Sequence, residues 1–421
     1  MTLGIVYHMP FWRAADGSLR ELEGSFARYV DSLAPYFDHI VLCVPMLRSP
    51  QGEGTPVRSA NVTLAPLPSF DGPVRFYPRL PFMFLRLLRF VRGVDLVHCR
   101  VPTPAAIFVA VAARWFKRPA FLLVVGDLDA LRATMPYRGL KKVLWRMYTA
   151  FEEGNVQWMA DRTLTFANGA ALTRKHSRQA RPAIETRTTT IRLGDVAARQ
   201  DTCARTRIRL LTVSRIDPRK GLRVLPDVVR ELVASGHDVV VDIVGPPVGA
   251  PGDAERREIE ARAASFGLSD RVRCVGAIPL DRLLPVYREY DLFVLPTLPG
   301  EGIPRVLLEA MSAGLPVVST RVAGIPGLIL HERNGLLVDV PTAPAIAAAI
   351  TRLIVDGPLR RRIIAYGYET ARAHTLEAQA VSMMQEVSAK LGLTLRPTAD
   401  SVSRMADSAI HRTSQSAVRN A

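Results

Sequence analysis

Glu301-Gly-Ile-Pro-Arg-Val-Leu-Leu-Glu309, running on into Ala310-Met-Ser-Ala-Gly-Leu-Pro-Val-Val318, sets two carboxylates around the start of a helix. Pro304 suits a first helical turn, where an N–H has no intrahelical partner, and Gly314 suits the stop after Ala313. The spacing predicts a helix of about ten residues. Gly302, Ile303 and Pro304 lead into it, and free N–H groups near Arg305, Val306 and Leu307, at the positive end of the helix dipole, offer a site for phosphate oxygens. A carboxylate beside such a site repels the ligand unless it faces hydroxyls, so Glu301 and Glu309 read as acceptors for sugar or ribose OH groups. An exposed loop Glu followed by a surface helix Glu is the plainer alternative.

Downstream, Leu315–Thr320 reads as a short β-branched strand and Val322-Ala-Gly-Ile-Pro-Gly327 as a turn. Upstream, Ile208–Ser214 reads as a first parallel strand that ends in the basic loop Arg215-Ile-Asp-Pro-Arg-Lys-Gly221. An Arg can fork to two phosphate oxygens while a Lys acts as a point charge, so Arg215 and Lys220 can hold a diphosphate as its charge grows. Asp238–Gly245, Val272–Gly276 and Asp291–Pro296 supply further buried strands, and four strands with helices between them make a nucleotide-binding Rossmann-like half. NAD is not favoured: no G-x-G-x-x-G follows the first strand of either half, and Gly4 stands alone.

These residues resemble the retaining glycosyltransferases of the GT-B fold, family 4, whose signature is two glutamates separated by seven residues, then a small-residue helix end and Gly-x-Pro-Val-Val. The resemblance is strong over roughly residues 208–365. It implies that Glu309 binds the nucleotide ribose, Glu301 sits by the donor sugar, Arg215 and Lys220 form the basic pair, and the backbone at Ile278 packs on the nucleobase. The implied fold class is α/β, with two Rossmann-like domains facing across a cleft that holds the donor. The expected boundaries are 1–195 for an acceptor-side domain, 196–365 for a nucleotide-sugar domain, 366–393 for a helix returning to the first domain, and 394–421 for a disordered tail.

In the first half the resemblance is gapped. Asp95-Leu-Val-His-Cys99 and Ala160–Ala167 resemble family strands, but where the family ends a strand in a His facing the donor sugar, this chain reads Val124-Val-Gly-Asp-Leu-Asp129. Either Asp127 replaces that His as a catalytic group or the donor is held differently. Asp127 and Asp129 also have the spacing of a metal-binding pair, a pattern common by chance, so no metal or other cofactor is expected; the nucleotide sugar is a substrate. Gly327 departs too, since the family often has Glu there. The elements expected in this half are a strand at 3–7, a helix at about 18–34, strands at 39–44 and 95–98, a helix at 104–115, and strands at 120–125 and 163–166.

The chain has 421 residues, 48% hydrophobic, which is enough for two cores. Only 6 of its 55 basic residues are lysine, and the net charge is +16. Such an excess attracts anions. Nucleic acid is not favoured, because no recognition motif is present and aromatics are 7%. An anionic membrane surface fits better: Val74–Arg92 and Arg138–Tyr148 interleave Arg or Lys with aromatic and aliphatic residues. Core-facing helices with solvated Arg faces are the alternative. No signal peptide or spanning segment is read, and four scattered cysteines fit a reducing compartment. The expectation is a cytoplasmic protein, peripheral on the inner membrane face, that moves a sugar from a nucleotide diphosphate sugar to a glycan or lipid-linked acceptor in polysaccharide assembly. A catalytically inactive shell of the same fold and a nucleotide-sugar epimerase are the alternatives.

Overall fold

The computed structural model describes residues 1–49, 53–70, 75–129, 132, 138–196, 198–299, 303–322 and 324–397. The described residues form two compact units, Met1–Thr188 with residues 379–397, and Thr189–Ala378. The first division therefore falls before residue 195, and the return to the first unit lies within the last helix, Leu376–Leu391.

The first unit is built on a seven-stranded parallel sheet. Its spatial order is Ile184–Thr186, Leu164–Asn168, Ala120–Val124, Leu96–Val101, Thr2–Val6, His39–Cys43, Val62–Leu64. The apolar strands are covered by helices that contribute one face each: Leu80–Arg92 buries Met83, Leu87, Phe90 and Val91. Gly4 owes its place to packing, since a Cβ there would lie 2.7 Å from the Phe90 ring.

Residues 18–34 do not form one helix. Leu19–Glu21 is a strand paired antiparallel with Phe11–Arg13 in a separate five-stranded sheet, and the helix runs only from Ser25 to Leu33. Asp16 accepts the Ser18 N–H at 2.9 Å and Gly17 takes φ 78°, which turns the chain back on itself. Glu21 then accepts the N–H groups of Phe26 (3.0 Å) and Ala27 (2.9 Å), fixing the helix start from outside.

The second unit has a six-stranded parallel sheet ordered Val272–Gly276, Val239–Val244, Ile208–Val213, Leu292–Leu295, Val317–Thr320, Leu336–Val338. Four of the six were expected with the nucleotide-binding half and a fifth after the glutamate motif; Leu336–Val338 is too short to stand out in the sequence. The strand order reverses beside Ile208–Val213, and open α/β sheets bind ligands outside the carboxyl ends of strands at such a switch point. The expected single helix over 366–392 is instead two, Gly357–Ala373 and Leu376–Leu391, because Thr375 caps a new start by accepting the Ala378 N–H at 3.2 Å.

Candidate active site

The loops at the carboxyl ends of the second unit's strands are knitted together by backbone contacts. Ile216 donates to the Pro246 carbonyl at 2.9 Å, Gly245 donates to the Gly276 carbonyl at 2.8 Å, and Leu298 donates to the Arg219 carbonyl at 3.0 Å. Two glycines permit this closeness. A Cβ on Gly245, at φ 144°, would sit 2.0 Å from the Ser214 carbonyl oxygen, and one on Gly221, at φ 65°, would sit 2.2 Å from that of Pro296. The basic loop is thus held against the segment that leads into the glutamate motif.

Within the loop, Asp217 accepts the Arg219 N–H at 3.0 Å and pairs with its guanidinium at 2.7 Å, and that guanidinium holds the Asp217 carboxyl down at about 2. Arg219 is tied to Asp217, whereas the exposed Arg215 has no ion-pair partner among the described residues. Lys220 is half-buried at the end of the same turn.

The helix of the motif is shorter than its spacing suggests: Val306–Ser312, seven residues, with Arg305 as its cap. Pro304 lies ahead of it and accepts the Leu307 N–H at 3.2 Å, while Arg305 accepts that of Leu308 at 3.0 Å. Leu307 is fully buried, so its N–H is not among the groups open to a phosphate, contrary to the sequence reading. Gly314, at φ 70°, ends the helix as expected; a Cβ there would lie 2.2 Å from the Tyr368 hydroxyl. Ile303 packs beneath Gly324 of the Gly-Ile-Pro turn, and Ile278, Ile303 and Val306 all border one buried cluster containing Tyr287, Leu307 and Ile325. Glu301 and Gly302 lie outside the described residues.

Glu309 is not a surface residue. It is 4% exposed, and its carboxylate accepts hydrogen bonds from the Thr190 hydroxyl and from the Tyr287 hydroxyl, the latter at 2.7 Å. Burial first, and the neighbouring carboxylate second, push the Tyr287 hydroxyl well above its ordinary range, so it stays a donor. Neither partner is legible in sequence, because only the fold brings positions 190 and 287 to Glu309.

Residues 198–370 match the family model described as "Glycosyl transferases group 1". That stretch belongs to the group 1 glycosyl transferases. The amylovoran biosynthesis glycosyltransferase AmsK of Erwinia amylovora is 38% identical over 151 residues, 35% of this chain and 36% of that protein. A putative colanic acid biosynthesis glycosyltransferase, WcaL of Salmonella typhimurium, is 34% identical over 148 residues, 34% of this chain and 35% of that protein. The matches thus span little more than a third of these relatives' lengths. In fold, the chain is similar to Anabaena Alr3699/HepE in complex with UDP and glucose, with TM-score 0.66, 18% identity, and coverage of 94% of this chain and 100% of that one. The architecture is that of the GT-B glycosyltransferases.

Outside the group 1 stretch, Asp127 stands just beyond the Ala120–Val124 strand in the first unit. Its carboxylate accepts from the Lys175 ammonium at 2.8 Å, and that ammonium also meets Asp129 at 2.7 Å and Glu153 at 3.0 Å. The three carboxylates have the closeness of a cation site, and Lys175 reaches all three. Burial opposes the charge on Lys175, but the hydrogen bonds to Asp127, Asp129 and Glu153 outweigh it and raise its pKa above that of an ordinary lysine. His176 beside them is pushed down to about 4, by burial first and by the Lys175 charge second. Sequence reasoning found the Asp127–Asp129 pair and missed Lys175, which lies far along the chain.

Proposed function

We propose that this protein is a retaining glycosyltransferase that moves a sugar from a nucleotide diphosphate sugar to an acceptor hydroxyl in polysaccharide or lipid-linked glycan assembly. The observation that carries the reading is the basic loop of Arg215 and Lys220, fixed at the switch point against the segment that enters the glutamate motif. The glycan-building relatives and the UDP-bound structural neighbour support it. In the proposed reaction the acceptor oxygen bonds to the anomeric carbon from the side on which the bond to the diphosphate breaks. A diphosphate oxygen takes the acceptor proton, and Arg215, Lys220 and the backbone at Arg305 and Val306 hold the growing charge. The roles of Glu309 at the ribose, Ile278 at the base and Glu301 at the donor sugar are those the resemblance implies. No metal is needed for these steps. Glu301→Gln, assayed with a panel of radiolabelled nucleotide sugars, is expected to lose transfer by about a hundredfold or more with donor binding little changed; equal turnover would remove Glu301 from the reaction.

The chain is proposed to work at an anionic membrane surface. No helix among the described residues is long and apolar enough to cross a membrane. The Gly139–Ala160 helix turns Thr149, Glu152 and Val156 inward and leaves Leu140, Leu144, Met147 and Phe151, one stripe at helical spacing, exposed. Phe82 (80% exposed) and Leu85 do the same on Leu80–Arg92. Arg86, Arg89, Arg92, Lys141, Lys142 and Arg146 border these faces and have no ion-pair partner among the described residues. In the second unit, by contrast, Arg223, Arg262, Arg271, Arg273 and Arg360 are all paired with carboxylates. An apolar stripe flanked by unpaired cations suits a lipid surface. Leu144→Glu with Met147→Glu is expected to abolish sedimentation with phosphatidylglycerol vesicles at low salt; unchanged sedimentation would reject the surface.

A further inference from the structure

A second cationic feature lies at the opposite end of the first unit's sheet from Asp127. A cavity of about 240 Å³ opens beside the amino ends of the Ala120–Val124 and Leu164–Asn168 strands, lined by Arg114, Arg118, Arg162 and Arg181 together with Trp158 and Leu391. Among the described residues no acidic side chain lines it. Of the nearest carboxylates, Asp95 accepts the Thr2 N–H at 2.8 Å and makes a long ion pair with Arg118 at 3.9 Å, and Asp161 pairs with Arg178 at 3.1 Å. The Arg118 Nε is buried with no hydrogen-bond partner. Arg162 lies over the Trp158 ring at 4.7 Å and donates to the Trp158 carbonyl at 3.2 Å, and Arg181 donates to the Arg162 carbonyl at 3.4 Å, so two guanidinium groups are positioned with no counter-ion among the described residues.

Like charges gathered around one cavity repel, and an anion seated among them reverses the sign of that energy. Guanidinium forks match tetrahedral oxyanions two oxygens at a time. The volume is several times the roughly 30 Å³ share of a water, enough for a phosphate with the group that carries it. We propose that this cavity is a binding site for a phosphate ester, separate from the strand ends where the donor reading places its diphosphate. Trp158, half-buried against the core, lies on the same helical face as the exposed Leu140, Leu144 and Phe151, so a lipid headgroup as well as a free phosphorylated molecule is a candidate for the site.

The test uses the full chain and the exposed pair Arg114→Gln with Arg181→Gln. Inorganic phosphate is titrated calorimetrically at constant ionic strength, and flotation is measured with phosphatidylcholine vesicles with and without phosphatidic acid. The double variant is expected to bind phosphate about tenfold or more weakly, with an unchanged Tm in chloride, while Arg215→Ala keeps this binding. Phosphate binding without any vesicle preference identifies a free phosphorylated ligand. Loss of phosphatidic acid-dependent flotation in the double variant identifies a headgroup. If wild type binds neither probe, or the double variant matches wild type in both, the site does not exist; a defect confined to Arg215→Ala would leave only the donor loop as the anion site.

Discussion

Two buried glutamates solve opposite problems. Glu309 enters the interior of the second unit with two hydroxyl donors waiting for it, whereas Glu21 of the first unit satisfies two helix N–H groups with one oxygen and leaves the other buried without a partner. Burial, the largest influence, pushes the Glu21 carboxyl from the ordinary 4.5 to about 7, against the lowering effect of the N–H groups. The folded state therefore holds the proton more tightly than the unfolded chain. The associated stability is complete below about pH 4.5 and is lost as pH rises towards 7, by up to about 1.4 kcal/mol per pH unit. Glu21→Gln, which keeps an acceptor for the helix, is expected to flatten this dependence, so that its Tm gains on wild type between pH 5 and pH 8 by thermal denaturation. A constant Tm difference across that range would show that Glu21 is not the titrating group. At this scale the sequence was informative about charge type and spacing and silent about partners: Thr190, Tyr287 and Lys175 reach their carboxylates through tertiary contacts that no local pattern encodes.

At the scale of elements, the parallel strands were readable because strands covered on both faces are continuous apolar runs. The failures sit where short-range chemistry overrides periodicity. The Asp16–Gly17 turn makes a hairpin out of a stretch that reads as helix, and Pro304 delays the motif helix by accepting the Leu307 N–H. The glycines that bind the loops together are a stronger constraint than either. Gly245→Ala would drive a Cβ into the Ser214 carbonyl and impose a backbone conformation that L side chains rarely adopt. A stability loss of about 2 kcal/mol or more is expected in denaturant titrations, with nucleotide affinity falling too, since the Arg215 loop must shift. Gly236→Ala, also at positive φ but with nothing within 4 Å of its Cβ, is the matched control and should keep that affinity.

For the whole molecule, a net charge of +16 resolves into parts with different uses. In the second unit Arg223, Arg271, Arg273 and Arg360 are paired with carboxylates, whereas Arg215, at the end of the first strand, has no ion-pair partner among the described residues. Cations with no ion-pair partner among the described residues collect on the exposed helices and, as Arg114, Arg162 and Arg181, in the arginine-lined cavity of the first unit. The central claim is that Arg215 binds a donor diphosphate. Its most direct test is calorimetric titration of wild type and Arg215→Ala with nucleoside diphosphates and the matching monophosphates. The diphosphate that binds wild type is expected to lose about tenfold or more in affinity with Arg215→Ala, while its monophosphate loses little. Equal affinity of both chains for the diphosphate would contradict the account.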